Sequence, residues 1–159
     1  MYASNDIVIS QVMHGLPGAT NKEYFELYNR SDTDIDLVND YGLRVQFVNS
    51  SNKITNKSIT WLNTIIPAKG YFLFASSAYK DIGDSDAVFS YGITSNSGII
   101  ILMNNWDHID KVGWGTGADS AVEGEAAPSF STGECLMRLP GGIAGSAEDT
   151  DNNYNDFFI

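Results

Sequence analysis

Apolar and polar positions alternate most clearly in Glu23–Ser31, where Phe25 and Leu27 share a parity with Glu23, and Tyr24, Glu26 and Tyr28 share the other. A two-residue period rich in aromatics predicts a β-strand with one face on a core. Polar residues on its second face predict a paired inner strand, and Asn29–Asp32 supplies the short polar side chains that end it in a turn. The same reading predicts strands at Ile7–Met13, Tyr41–Val48, Ile59–Leu62 and Tyr71–Ala75, with Asp86–Phe89 leading into a polar turn at Thr94–Gly98. In Tyr41–Val48 the residues Leu43, Val45 and Phe47 form the inward set. The unbroken apolar run of Tyr71–Ala75 predicts burial on both faces. Ile99–Met103 and His108–Gly115 form the clearest hairpin, joined by Asn104–Asp107.

Between these runs, Asn49–Lys57 is predicted to be a polar loop. Ile66–Gly70 is predicted to be a turn in which Pro67 fixes φ and Gly70 accepts a positive φ. Ser77–Lys80 is the one place for a short helix. Thr116–Gly133 predicts a long loop of small residues, followed by a strand around Cys135. In that strand Cys135, Met137 and Leu139 are the predicted core set. Phe25, Leu27, Leu43, Phe72, Phe74, Ile101 and Val112 are expected in the core. No internal repeat or heptad occurs, so the pattern predicts an all-β sandwich of two antiparallel sheets with negligible helix.

Composition narrows the partners. The chain has 159 residues, 43% hydrophobic and 12% aromatic, which excludes wholesale disorder and suits one domain over 1–159. Residues 1–6 are expected to be flexible or an added start. The net charge of −11 is lopsided: residues 1–106 hold ten acids and seven bases, whereas residues 107–159 hold ten acids and two bases. Phosphate backbones are bound by Lys and Arg clusters, and none exists here, so no nucleic-acid partner is expected. No apolar run is long enough for a membrane span. Met1–Asp6 lacks the basic and apolar regions of a signal peptide. Cys135 is the only cysteine, which leaves no intrachain disulfide.

Candidate chemistry is thin. Ser50–Lys53 and Ser77–Lys80 both match S-x-x-K, the spacing at which a helix sets a lysine base beside a serine, but neither has the supporting motifs. His14 and His108 lack zinc spacing, and His108 is expected at the surface. Gly113–Gly117 lacks the helix that a dinucleotide loop requires. Glu123 and Glu125 could pair for glycoside hydrolysis, yet no aromatic cluster adjoins them in sequence, so a solvated acidic loop is expected. Asn29, Asn49 and Asn56 head N-x-S sequons, read here only as marks of polar loops. Trp61 and Trp114 lie in strand patterns and are expected in the core. Trp106 sits at a hairpin tip, where burial is hard to arrange, and is the candidate binding residue. Asp149, Asp151 and Asn153 fall at alternate positions, as oxygen ligands of a calcium loop do. The sixth position is Tyr154 where such loops carry glycine, and the competing reading is a set of Asx caps.

These blocks, taken in order, resemble the lamin tail domain in its microbial extracytoplasmic form. The resemblance rests on Ile7–Val12, Glu23–Asn29, Asp36–Leu43, Ile66–Tyr71, Ser97–Leu102, Val112–Gly115, Arg138 and Asp149–Phe157. Tyr41 stands where the family usually carries Trp. The resemblance implies an immunoglobulin-like antiparallel sandwich and a non-catalytic accessory, binding or structural module of a secreted or surface multidomain protein. It implies as partners other domains of that protein or a cell-surface polysaccharide, and an extracellular or cell-surface location. No cofactor is required on this reading, and a structural calcium ion is the one the acidic end would admit. The competing functions are a carbohydrate-binding module acting through Trp106 and a small metal-dependent hydrolase using the acidic C-terminal half.

Overall fold

The computed structural model describes residues 6–79 and 83–159. In chain order the strands are β1 (Ile7–Met13), β2 (Tyr24–Asn29), β3 (Ile35–Asp36), β4 (Arg44–Asn49), β5 (Ile54–Lys57), β6 (Ile59–Trp61), β7 (Ile65–Ile66), β8 (Tyr71–Ser76), β9 (Ala87–Phe89), β10 (Ser97–Leu102), β11 (His108–Trp114), β12 (Leu136–Arg138) and β13 (Phe157–Phe158). They form a seven-stranded sheet in the order β13-β12-β1-β2-β8-β9-β6, a four-stranded sheet in the order β11-β10-β4-β5, and the small pair β3-β7. Strand β2 is an inner strand between β1 and β8, as its two-sided pattern requires.

The core lies between the two larger sheets. Phe25 stacks on Phe74 with ring centroids 4.4 Å apart and meets Phe47 edge-on at 6.1 Å. Phe89 and Trp61 extend this aromatic layer. All seven expected core residues are buried. Trp114 is fully buried, while Trp61 is only partly so and packs against the core.

Several local expectations are corrected. The β8–β9 pairing is parallel, so the larger sheet is mixed. Ile54–Lys57, expected as loop, is an edge strand on β4. It is held by backbone pairing and has no buried face, so it carries no hydrophobic alternation. In β8 Phe72, Phe74 and Ser76 are fully buried on one face, and on the other Ala75 is fully buried while Tyr71 and Leu73 are half-buried. At the Pro67 turn the positive φ belongs to Lys69 (53°) and not to Gly70. Gly70 is needed for space, since a Cβ there would sit 2.9 Å from Pro67 Cβ. Ser77–Tyr79 form a turn, not a helix, and the rest of that segment through residue 82 lies outside the described residues, as do residues 1–5.

The parity of β12 is the reverse of that expected. Leu136 and Arg138 face inward with no exposure, whereas Cys135, Met137 and Leu139 are half-buried. The inward charge sets the parity, because among the described residues the partners of Arg138 lie on the core side.

Candidate functional site

β1 carries a bulge between Ile9 and Gln11. There the Ile9 backbone turns to side chains: its N–H donates to Asp110 Oδ2 at 2.6 Å, and its carbonyl accepts from Arg138 Nε at 2.7 Å. Bulges commonly re-aim groups in this way beside polar sites. Arg138 also donates from Nη2 to Asp110 Oδ2 at 2.6 Å and from Nη1 to the Glu148 carbonyl at 2.9 Å. Its guanidinium lies 4.5 Å from the centre of the Phe157 ring. One buried cation thus ties β1 and β12 of one sheet to β11 of the other and to the C-terminal segment.

Carboxylates crowd this centre. Asp149 lies 3.4 Å from Arg30 and 3.6 Å from Arg138, and Asp156 lies 3.7 Å from Arg138. Asp110, Glu123 and Asp149 offer carboxylate oxygens all within 4.8 Å of one another. Asn153 places Glu123: its Oδ1 accepts from the Glu123 and Gly113 N–H groups, and its own N–H donates to the Glu123 carbonyl. Burial, reinforced by the Asp110 and Asp149 charges, pushes the Glu123 carboxyl up to about 8. Burial likewise raises Asp110, to about 6, with the Arg138 charge opposing. Such shifts mark sites where ionisation is costly.

Glu123 is therefore not part of a solvated loop, although Glu125 is exposed. The proposed calcium ligands occupy three different environments. Asp149 turns toward the arginines, and Asp151 is exposed at φ 54°. Asn153 spends its amide oxygen on two backbone N–H groups and its Nδ2 on the Lys111 carbonyl. The capping reading is realised at Asn152, whose side chain accepts from the N–H groups of Tyr154 and Asn155 to start the single helical turn α1 (Asn153–Asp156). Phe157 then returns to the core, while Phe158 remains partly exposed.

The hairpin tip is a second, open feature. Trp106 is 51% exposed and adopts φ 70°, a left-handed conformation rare for a bulky residue. Its ring is covered by Arg44 of β4, with the guanidinium 4.5 Å from the ring centre. Arg44 is itself anchored by donating to Asn104 Oδ1 at 2.9 Å. The Trp106 N–H donates to the Met103 carbonyl, and Asn105 Nδ2 donates to Asp107 Oδ2 at 2.7 Å. The tip is braced from the neighbouring strand β4 through Arg44.

A cleft of about 520 Å³ opens beside Glu23, His14, Tyr91 and Ile93. Its titratable groups are engaged by backbone: Glu23 Oε2 accepts from the Gly92 and Ile93 N–H groups, and His14 Nε2 lies 2.8 Å from the Phe130 carbonyl. Burial raises the Glu23 carboxyl. Among the described residues, neither side chain is hydrogen-bonded to a Ser or Thr hydroxyl of the cleft. His108 is exposed at the start of β11, whereas His14 is buried just past the end of β1. Cys135 Sγ lies 3.0 Å from the Tyr24 hydroxyl, and burial together with this contact raises Tyr24. Ser50–Lys53 is an exposed turn held by Asn49, and Lys80 of the second S-x-x-K lies outside the described residues. Of the sequon residues, Asn29 is fully buried, with its side chain bonded to the backbone. Asn49 and Asn56 are exposed.

The ionic centre went unread in the sequence because its members lie in separate segments. One signal was available: Arg138 is the last base of an acidic half and is flanked by Met137 and Leu139. A lone charge within an apolar strand has to be paired when buried.

A family model described as Lamin Tail Domain matches residues 1–116. No curated protein matches the chain.

Proposed function

The chain belongs to the lamin tail domain family, and from that premise we propose that it serves as a binding or spacing module of a secreted or surface multidomain protein. The family is non-enzymatic and immunoglobulin-like. Trp106 carries the reading. An exposed indole held at φ 70° and covered on one face by an anchored arginine is a costly arrangement for a loop with no packing role. Residues 1–159 act as one folding unit in this proposal, with the C-terminal segment joined through Arg138. Partners are neighbouring domains of the parent protein or a cell-surface polysaccharide, and the location is extracellular.

One observation favours the module over a metal-dependent hydrolase. The acidic groups of the C-terminal half that cluster do so around Arg138, with Asp110 and Asp156 wholly buried and out of reach of a substrate. Among the described residues no helix is long and apolar enough to cross a membrane. Polysaccharide recognition is favoured by the indole itself, since a flat aromatic face suits the C–H face of a sugar ring. Co-sedimentation with insoluble cellulose, chitin and peptidoglycan tests it. Retention on one of them, weakened about tenfold by Trp106→Ala, is expected. Equal retention of the variant, or no retention on any of the three, would contradict a sugar-binding tip.

A further inference from the structure

We propose that Asp110, Glu123 and Asp149 hold a hard divalent cation of the calcium class where the C-terminal segment meets the two sheets. The three carboxylates offer oxygens within 4.8 Å of one another, the compact all-oxygen set that such a cation requires. A cluster of acids would not suffice by itself, but two of its atoms are left without donors. The Asp149 side chain is nine-tenths buried, at 10% exposure, and its Oδ1 accepts no hydrogen bond. Arg138 Nη1, at 3.6 Å, lies beyond hydrogen-bonding range of that atom. Glu123 Oε2 is likewise buried without a donor among the described residues. Buried acceptors are nearly always paired, and two oxygens without donors in one carboxylate cluster leave room for a further positive partner beside Arg30 and Arg138, which already ion-pair with Asp149.

Charge points the same way. Asp110, Glu123, Asp149 and Asp156 face Arg30 and Arg138 in the centre, an excess of two negative charges when all are ionised, with Lys111 acting on Glu123 at longer range. One divalent cation neutralises that excess, whereas a bridging water satisfies acceptors but not charge. The seat differs from the one suggested by Asp149, Asp151 and Asn153. It shares only Asp149, because Asp151 faces solvent and the neutral Asn153 amide oxygen already accepts two backbone N–H groups. The charged Asp110 carboxylate, with Oδ2 on Ile9 and Arg138, has among the described residues only the Lys111 N–H on Oδ1 and keeps a lone pair there. Asn153 becomes a positioning residue: by gripping both backbone groups of Glu123 it aims that carboxylate inward. Gly124, next to Glu123, is exposed, so the loop bearing the ligand borders solvent and gives the ion a way in.

The test uses the full chain, stripped with chelator and then freed of it, melted with calcium, magnesium or manganese chloride up to about 10 mM against sodium chloride of equal ionic strength. Calcium at about ten times its Kd should raise the melting temperature by roughly 5 °C, and chelator should reverse the rise. Glu123→Gln and Asp149→Asn keep the side-chain shapes and should each weaken calcium binding, measured by calorimetry, about tenfold or more. Asp151→Ala should bind as the parent does. No rise with any of the three metals overturns the site and leaves the orphan atoms to water or a proton. A rise of equal size in every variant overturns it in favour of general screening. A rise lost only in Asp151→Ala overturns it in favour of the terminal loop.

Discussion

Two interiors hold this sandwich together, and they obey different rules. Around Phe25 and Phe74 the contacts are rings on rings, with Phe47, Phe72, Phe89 and Trp61 completing the layer. That region gains from area removed from water, which is non-directional and tolerates a change of shape. Around Arg138 the contacts are directional and mutually dependent: two hydrogen bonds to backbone carbonyls, one to Asp110, and ion pairs to Asp149 and Asp156. Removing one member there strands the others in a dry setting. The aromatic layer gives the sheets a reason to meet, and the ionic centre determines which C-terminal segment completes them.

Substitutions at the two centres sharpen the contrast. Arg138→Ala should lower the unfolding free energy by about 3–5 kcal/mol, because Asp110 keeps its burial and loses its cation. Arg138→Lys keeps the charge but cannot reach Ile9, Glu148 and Asp110 together, so a loss of about 2 kcal/mol is expected. Phe74→Leu keeps apolar bulk and should cost only about 1–2 kcal/mol. Urea unfolding measures all three. A charge-conserving change milder than the apolar one would break the distinction between the regions.

Acidity reaches only the ionic centre with large effect. Between the ordinary glutamate value of 4.5 and about 8, the folded chain holds a proton on Glu123 that the unfolded chain has released. The stability this gives is complete below 4.5 and is lost as the pH rises through about 8. Asp110 adds the same sign of dependence between 3.8 and about 6. With chelator present, unfolding at about pH 5 and about pH 8 should show a decline of roughly 1–2 kcal/mol, once solvent screening of the half-buried Glu123 is allowed for. Glu123→Gln should flatten the upper part of that decline, and an unchanged slope would place the titrating group elsewhere. The smallest effect is expected at the open tip. Trp106→Ala gives up an exposed cation–π contact with Arg44 and should change stability by less than about 1 kcal/mol. A larger loss would mean that the indole is structural and not free for a partner.

The same division explains what could be read from the chain. The strands around Phe25, Leu43 and Val112 were legible because burial on one face imposes a period of two, and the Trp106 tip was legible because a hairpin turn has no interior. β5 was not, since an exposed edge strand needs only backbone pairing. β12 was assigned the wrong parity because Cys135, Met137 and Leu139 outrank Arg138 in apolar character, and only tertiary partners turn an arginine inward. Glu123 was misjudged for a related reason: its neighbours Asp110 and Asp149 are distant in sequence and are brought to it by the fold.

The central claim is that the Arg138 centre makes residues 136–158 part of the same cooperative unit as the family-matching residues 1–116. Hydrogen exchange of the intact chain, followed peptide by peptide, tests it most directly. The Leu136–Arg138 amides should open with the same free energy as those of Phe25 and Leu27, and Arg138→Ala should lower both together. Exchange of the C-terminal strands several kcal/mol more easily than β2, in the unsubstituted chain, would contradict the claim and make that segment a separable appendage.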